Sequence, residues 1–233
     1  MKKLNILGVI PARAGSKGLK NKNILKLKNK SVIEYTIDQA LASKYINNIC
    51  VSTDSKIIQD ISVRKGIWCD RLRPKKISGN NAKLYDAIEF ITKNIDYSPD
   101  ILVELHPTHV FRTTKLIDDA IKTFVEKERF DSLISILEVK NTAHPDYIID
   151  VKKDLIKYKK SPTNFNRHYL KSKFQSSGII LITNFEDFKK NKSMIGKKCY
   201  GYVVKNEIEK IDINNLIDFE FCKFLLKYDN RKL

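Results

Sequence analysis

Short apolar runs alternate along this chain with longer stretches in which apolar residues recur every three or four positions. The first run, Asn5-Ile-Leu-Gly-Val-Ile10, is long enough for one buried strand and stops at Pro11. Ser31-Val-Ile-Glu34 reads as a capping box, and Ile33, Ile37, Ala40 and Leu41 follow at helical spacing. Asn48-Ile-Cys-Val-Ser52 is a second buried strand. It ends at Thr53-Asp54-Ser55, where Asp54 or Ser55 can cap a helix over residues 56–65 with the stripe Ile57, Ile58 and Ile61. Ile67-Trp-Cys69 predicts a third short strand before the loop Arg71-Leu-Arg-Pro74. Leu84, Ala87, Ile88, Ile91 and Ile95 mark another helix. Asp100-Ile-Leu-Val-Glu-Leu105 is a further strand, running into His106-Pro-Thr-His109 and Phe111-Arg-Thr113. Thr113 or Thr114 then caps a helix carrying Leu116, Ile117, Ala120, Ile121 and Phe124.

This alternation predicts an α/β fold with a doubly wound, mostly parallel sheet. Ligands of such sheets sit at the carboxyl ends of the strands, and the polar loops 11–23, 53–55, 71–74 and 106–113 each follow a strand. The pattern changes after residue 130. Asp131-Ser-Leu-Ile-Ser-Ile-Leu137 is a strand, but residues 139–176 are polar and turn-rich, with Pro145, Pro162 and several short strand-like pieces. Insertions of that kind tend to be functional or to mediate association. Ser177-Gly-Ile-Ile-Leu-Ile182 and Gly201-Tyr-Val-Val204 are later strands. A helix from about 216 to 227 closes the pattern, with Leu216, Phe219, Phe221, Cys222, Leu225 and Leu226. No repeat or linker divides the chain, so residues 1–233 are expected to form one domain with 139–176 inserted in it.

Composition narrows the class. A 233-residue chain with 42% hydrophobic and 30% charged residues fits a soluble globular protein, and no apolar segment is long enough to insert in a membrane. Lys2 and Lys3 before an apolar run suggest a signal peptide. That run is too short and lacks a small-residue cleavage site, so it reads as a strand. Cys50, Cys69, Cys199 and Cys222 show no paired spacing and lie in apolar segments, as expected of reduced thiols in a cytoplasmic protein without zinc or disulfides. The net charge of +17 raises the question of a nucleic-acid partner. Lysine is dispersed in singles and pairs, with no zinc finger, RNA motif or arginine-rich tail, so small anionic substrates fit better and no nucleic acid is expected.

The loop Pro11-Ala-Arg-Ala-Gly-Ser-Lys-Gly18, continuing Leu19-Lys-Asn-Lys-Asn-Ile24, carries the candidate chemistry. Gly15 and Gly18 allow positive φ and close backbone approach, so successive amides can converge on an anion. Arg13, Lys17, Lys20 and Lys22 around such a nest suit a polyphosphate, where a plain basic turn would not need both glycines. His106 and His109 flank Pro107-Thr108 at a strand end, a position for a general base or for simple hydrogen bonding within the loop.

The stretch Ile10 to Ile24 resembles the signature of the sugar-activating cytidylyltransferases, the CMP-sialic acid synthetases and relatives acting on legionaminic, pseudaminic and 3-deoxy-manno-octulosonic acids. Val51-Ser-Thr-Asp54, Leu72-Arg-Pro74, Leu105-His-Pro-Thr108 with Arg112-Thr113, and Ile211-Asp-Ile-Asn214 with Asp218-Phe-Glu220 agree in order. The resemblance covers nearly the whole chain. It implies a Rossmann-like nucleotidyltransferase that transfers CMP from CTP to the anomeric hydroxyl of an acidic sugar and releases pyrophosphate, with Mg²⁺ as cofactor. It also implies roles. Arg13, Lys22 and Asp212 would be catalytic; Pro11, Ala12, Ala14, Gly15, Ser16, Asn23 and Arg73 would join Arg13 and Lys22 in binding the nucleotide. Asp212 and Asn214 would hold the metal. His106, Arg112, Arg167 and Ser177 would face the sugar, and the 139–176 region would be a β-rich arm reaching a second subunit in a homodimer.

Four departures concern the metal and the sugar. Asn214 stands where relatives usually carry a second aspartate, His106 replaces a glutamine, Asn80-Asn-Ala-Lys-Leu84 replaces Asp-Thr-Ala-Ser-Ser, and Ser177-Gly178 replaces Asn-Gly. Two alternatives stay open. One is a sugar-1-phosphate pyrophosphorylase, whose Leu-Ala-Gly-Gly-x-Gly-x-Arg loop is absent; the other is a relative impaired in catalysis, for which Asn214 speaks.

Overall fold

The computed structural model describes residues 4–16, 18–79, 81–139, 143–153, 155–158 and 171–228. In chain order the elements are β1 (Ile6–Pro11), a small ribbon of β2 (Lys26–Leu27) and β3 (Lys30–Ser31), α1 (Val32–Leu41), β4 (Asn48–Ser52), α2 (Lys56–Arg64) and α3 (Leu84–Thr92). Then come β5 (Ile101–Glu104), α4 (Thr114–Glu126), β6 (Ser132–Glu138), the hairpin β7 (Ile149–Lys152) and β8 (Leu155–Tyr158), β9 (Phe174–Asn184), α5 (Phe185–Asn191), β10 (Cys199–Val203) and α6 (Leu216–Tyr228).

Six strands form the central sheet in the order β10-β6-β9-β5-β1-β4. β1 pairs in parallel with β4 and β5, and β10 with β6, while β9 is antiparallel to both neighbours. The mostly parallel α/β architecture expected from the sequence is therefore present, with one reversed strand. β1 is apolar on both faces because helices cover both. Ile6 and Ile10 pack with Val51, Val103 and residues of α1, α2 and α4. Leu7 and Val9 pack with Leu102 and residues of α3 and α5. After β4 the chain crosses to the other side of β1 to lay down β5, so strand order reverses at β1. Crevices at such a reversal are where open α/β sheets bind ligands.

Several local expectations need correcting. Ile67-Trp-Cys69 is no strand; it contributes a single bridge between Cys50 and Trp68, because the next backbone contact, from Arg73 N–H to Thr53 O at 2.7 Å, already belongs to the following loop. In α2 the buried face is Ile58, Gln59, Ile61 and Ser62, and Ile57 is 57% exposed. Apolar identity misplaced that stripe by one position. In α6 only Phe219, Cys222 and Leu226 are buried, so Leu216 and Phe221 lie outside. α5 went unread because seven residues are too few to show a helical period.

The caps fall where the sequence puts them. Thr113 Oγ1 accepts from Leu116 N–H at 3.1 Å, and Ser55 Oγ from Ile58 N–H at 3.4 Å. At Ser31 the capping box closes: Glu34 Oε2 accepts from both the N–H and the hydroxyl of Ser31 at 2.6 Å. Burial raises the Glu34 pKa, but those two bonds with Lys26 and Lys65 outweigh it and hold the carboxyl below its ordinary value. A depressed folded-state pKa adds stability above the unfolded value that is lost as pH falls through the folded one. Ser31→Ala should cost about 1 kcal/mol in a urea titration at pH 7, with the difference from wild type narrowing below about pH 4.

All four cysteines are free; Cys50, Cys69 and Cys222 are buried and Cys199 half-buried. Burial pushes the Cys50 and Cys222 thiols up to about 12 and Cys69 to about 11. Among the described residues no helix is long and apolar enough to cross a membrane.

Candidate active site

A cleft of about 380 Å³ opens at the carboxyl ends of β1 and β5. Its lining includes Pro11, Arg13, Gly15, Ser16, Lys22, Asn23, Arg73, Ser78, Lys83, His106, Thr108, Asp212 and Asn214. The loop after β1 is pinned residue by residue. Ala12 N–H donates to Ser52 O at 2.8 Å, Ala14 N–H to Asp54 Oδ1 at 2.7 Å, and Asn23 Nδ2 to Arg13 O at 3.1 Å. The amides of Ala12 and Ala14 turn away from the cleft, and Arg13, Gly15 and Ser16 line it. Arg13 also reaches across to Gly79 O at 3.1 Å.

Of the two properties expected of Gly15 and Gly18, close backbone approach is the one the structure uses. Neither has positive φ; among the described residues Gly66 is the glycine that does. Nothing lies within 4 Å of a Cβ placed on Gly15, which leaves its backbone open to a ligand, whereas a Cβ on Gly18 would overlap the backbone oxygen of Asn214. The β1 loop is thus seated directly on the strap 211–214. Lys22 fastens the same joint, its Nζ donating to Ile213 O at 2.7 Å. Burial lowers its pKa, against the opposing pull of Asp212 and Asp218.

Arg73 is buried at the cleft wall, and its Nε finds no hydrogen-bond partner among the described residues. Burial also lowers its pKa, with Asp54 resisting. An unmatched buried donor beside Arg13, Lys22 and Lys83 is suited to an anion.

Opposite these cations stands Asp212. Burial works against its ionisation, but nearby His109, hydrogen bonds from Thr108 and Asn214, and Lys22 outweigh it and hold the carboxyl below its ordinary value. Its Oδ1 is buried without a hydrogen-bond partner among the described residues. His109 Nε2 lies 3.9 Å from Oδ1, beyond hydrogen-bond reach, and a hard anionic oxygen without a hydrogen bond beside a cationic cleft fits a divalent cation. Asn214, expected as a second ligand, instead donates Nδ2 to Asp212 Oδ2 at 2.9 Å and steadies that carboxylate. Among the described residues no three His, Cys, Asp or Glu side chains cluster as a metal cage.

A model of the cytidylyltransferase family matches residues 7–215. The chain belongs to that family. It is 28% identical over 229 residues to an N-acylneuraminate cytidylyltransferase of Escherichia coli O18:K1:H7, covering 97% of this chain and 53% of that protein. The chain thus spans about half the length of that relative. It is 29% identical over 236 residues to a CMP-N,N'-diacetyllegionaminic acid synthase of Legionella pneumophila, covering 99% of this chain and 100% of the other. The fold is also that of a CMP:2-keto-3-deoxy-manno-octonic acid synthetase solved with CTP, with a TM-score of 0.69, 12% identity and coverage of 96% and 98% of the two chains.

Placed in this cytidylyltransferase, the sequence-derived site residues separate into two groups. Pro11, Arg13, Gly15, Ser16, Lys22, Asn23, Arg73, His106, Asp212 and Asn214 line one cleft. Ala12 and Ala14 do not; their amides hold the loop to β4 and Asp54. Arg112, expected to face the sugar, is fully buried, its guanidinium donating to Ile179 O at 2.7 Å, Thr36 Oγ1 at 2.9 Å and His106 O at 3.2 Å. Ser177 is also turned away, its Oγ 2.8 Å from Ser135 Oγ. Arg167 lies outside the described residues. The sequence reading missed Glu104, Ser78 and Lys83. The signal for Glu104 was available, a carboxylate inside the apolar run 101–105.

Proposed function

We propose that this cytidylyltransferase moves CMP from CTP to the anomeric hydroxyl of an acidic sugar, releasing pyrophosphate. The observation that carries the reading is the convergence of Arg13, Lys22, Arg73 and Lys83 on one cleft with the unmatched Asp212 carboxylate oxygen. In-line displacement at the α-phosphorus asks mainly for positioning and charge neutralisation. In this reading Arg13 and Lys22 hold the triphosphate, Gly15 and Ser16 present backbone and hydroxyl to it, and Arg73 contacts the nucleotide. Asp212 would hold Mg²⁺ through its unpartnered Oδ1. Bound there, the metal supplies charge neutralisation for the departing pyrophosphate.

The relatives' names supply the acceptor class. N-acylneuraminate and N,N'-diacetyllegionaminic acid are both acidic ketosugars, so the acceptor proposed here is a nonulosonate or a close analogue. The reading further places a homodimer in the cytoplasm, with the segment 139–176 as the arm between subunits. The hairpin β7–β8 supports this, since Val151 and Leu155 are 67% and 75% exposed.

The test is pyrophosphate release from CTP and Mg²⁺ with a panel of acidic sugars. Release with at least one free acidic sugar is expected, and Asp212→Asn should raise the Mg²⁺ concentration for half-maximal rate by about tenfold or more. Silence with every acceptor overturns the proposal. Release only with a sugar 1-phosphate points to a pyrophosphorylase.

A further inference from the structure

One wall of the cleft holds an acid–base pair. Glu104 ends β5 and is 0% exposed, a placement unfavourable for a carboxylate unless it is matched. His106 matches one of its oxygens, with Nε2 2.5 Å from Glu104 Oε1, while Oε2 has no hydrogen-bond partner among the described residues. A carboxylate accepts hydrogen bonds and does not donate them, so Nε2 carries the hydrogen and the lone pair of the neutral ring resides on Nδ1. Nδ1 has no partner among the described residues, and the side chain is 39% exposed where it lines the cleft with Arg13, Lys22 and Asp212.

The ring is held on its other sides. A Cβ on Gly178 would come within 3.2 Å of Nδ1 and 3.5 Å of both Cε1 and Cγ, so the imidazole lies against that glycine. The His106 carbonyl accepts from Arg112 at 3.2 Å and from Thr36 Oγ1 at 3.4 Å. The nearby His109 cannot take the same part: it is 3% exposed, its Nδ1 is 3.3 Å from Ile211 O, and it does not line the cleft.

We propose that His106, oriented by the buried Glu104, is the base that accepts the proton of the attacking acceptor hydroxyl. The proposal rests on the cytidylyltransferase reading above. The acceptor O–H bond breaks and its proton passes to Nδ1. The hydroxyl oxygen bonds to the α-phosphorus, and the bond from that phosphorus to the bridging oxygen breaks, its electron pair leaving with pyrophosphate. Glu104, already on Nε2, stabilises the imidazolium that results; it is a positioning residue and does not touch substrate.

Among the described residues, Glu104, Asp212 and Arg112 act on the ring, and His109 interacts with it electrostatically. Burial pushes the His106 pKa down, but the charge of Glu104 and its hydrogen bond outweigh this; Asp212 adds to the rise and Arg112 opposes it. The net result is above the ordinary 6.5. Gly178 on β9 and Thr36 on α1 bring no charge. The neutral, base-competent ring is populated as pH rises through that value, so the rate should carry an acid limb.

The experiment measures kcat for pyrophosphate release against pH, at saturating CTP and Mg²⁺ with whichever acceptor the wild type uses, for the wild type, His106→Gln and Glu104→Gln. His106→Gln should lower kcat about 10²–10³-fold and abolish the acid limb, while CTP binding by calorimetry stays within about twofold. Glu104→Gln should keep the limb and move it to lower pH. A His106→Gln enzyme with wild-type kcat and an intact limb overturns the base while leaving the cytidylyltransferase reading standing. A wild type that turns over no acceptor overturns that reading instead. The ¹⁵N spectrum of the free protein decides the pairing without turnover: hydrogen on Nε2 and a ring pKa that falls in Glu104→Gln support it. Hydrogen on Nδ1, or a pKa unmoved by Glu104→Gln, overturns it.

Discussion

Lys22→Ala is expected to lower kcat/KM for CTP by about 10³-fold with the fold intact, read from steady-state pyrophosphate release and far-ultraviolet circular dichroism. The size follows from where the ammonium sits. Its hydrogen bond to Ile213 O fixes it between the β1 loop and the strap that carries Asp212. Burial depresses its pKa, yet Asp212 and Asp218 keep pulling it towards the charged form. A fixed cation in a partly dry site interacts with a polyphosphate far more strongly than one in bulk water. Lys22→Arg should not restore activity, because a planar fork is wider than an ammonium and the joint between loop and strap is already closed by the Gly18–Asn214 contact. Normal turnover and normal KM in Lys22→Ala would mean that the loop does not hold the triphosphate.

Arg112→Ala is expected to destabilise the protein by about 3 kcal/mol, seen as a lower urea midpoint, with little change in KM for the acceptor. Its guanidinium satisfies Ile179 O, Thr36 Oγ1 and His106 O. Truncation strands Ile179 O, a loss worth about 1–3 kcal/mol when buried and unmatched, removes the donor to Thr36 Oγ1, and leaves His106 O with Thr36 Oγ1 alone. Part of the loss is returned because the arginine is itself costly to bury: desolvation brings its pKa down to about 9. A domain of ordinary stability, about 5–15 kcal/mol, survives the change. An unchanged urea midpoint with a large rise in acceptor KM would restore the substrate-binding role suggested by the motif.

The contrast between Lys22 and Arg112 shows what a chain like this discloses before its structure is known. The order of buried runs and capped helices gave the sheet's class, because apolar runs covered on both faces have few other ways to pack. Arg13 and Lys22 were legible because glycines and cations directly after a core strand have few other uses, whereas Arg73 was read from the family resemblance alone. Arg112 was not, since its place in a polar loop could not reveal that its side chain turns back into the core. Ala12 and Ala14 misled in the opposite sense: the motif counts them with the ligand-facing loop, but alternation of the backbone points their amides at β4 and Asp54. Asn214 presented the chemistry of an oxygen ligand, and only geometry shows its amide donating to Asp212.

The bond between Lys22 and Ile213 spans 191 residues of sequence. During synthesis the β1 loop leaves the ribosome early, with its glycines and cations in place but nothing to close against. Gly18 gains its neighbour, and Lys22 its acceptor, only when residues 213 and 214 have emerged. A nascent chain can therefore lay down most of its parallel strands before the β1 loop has the strap against which it closes.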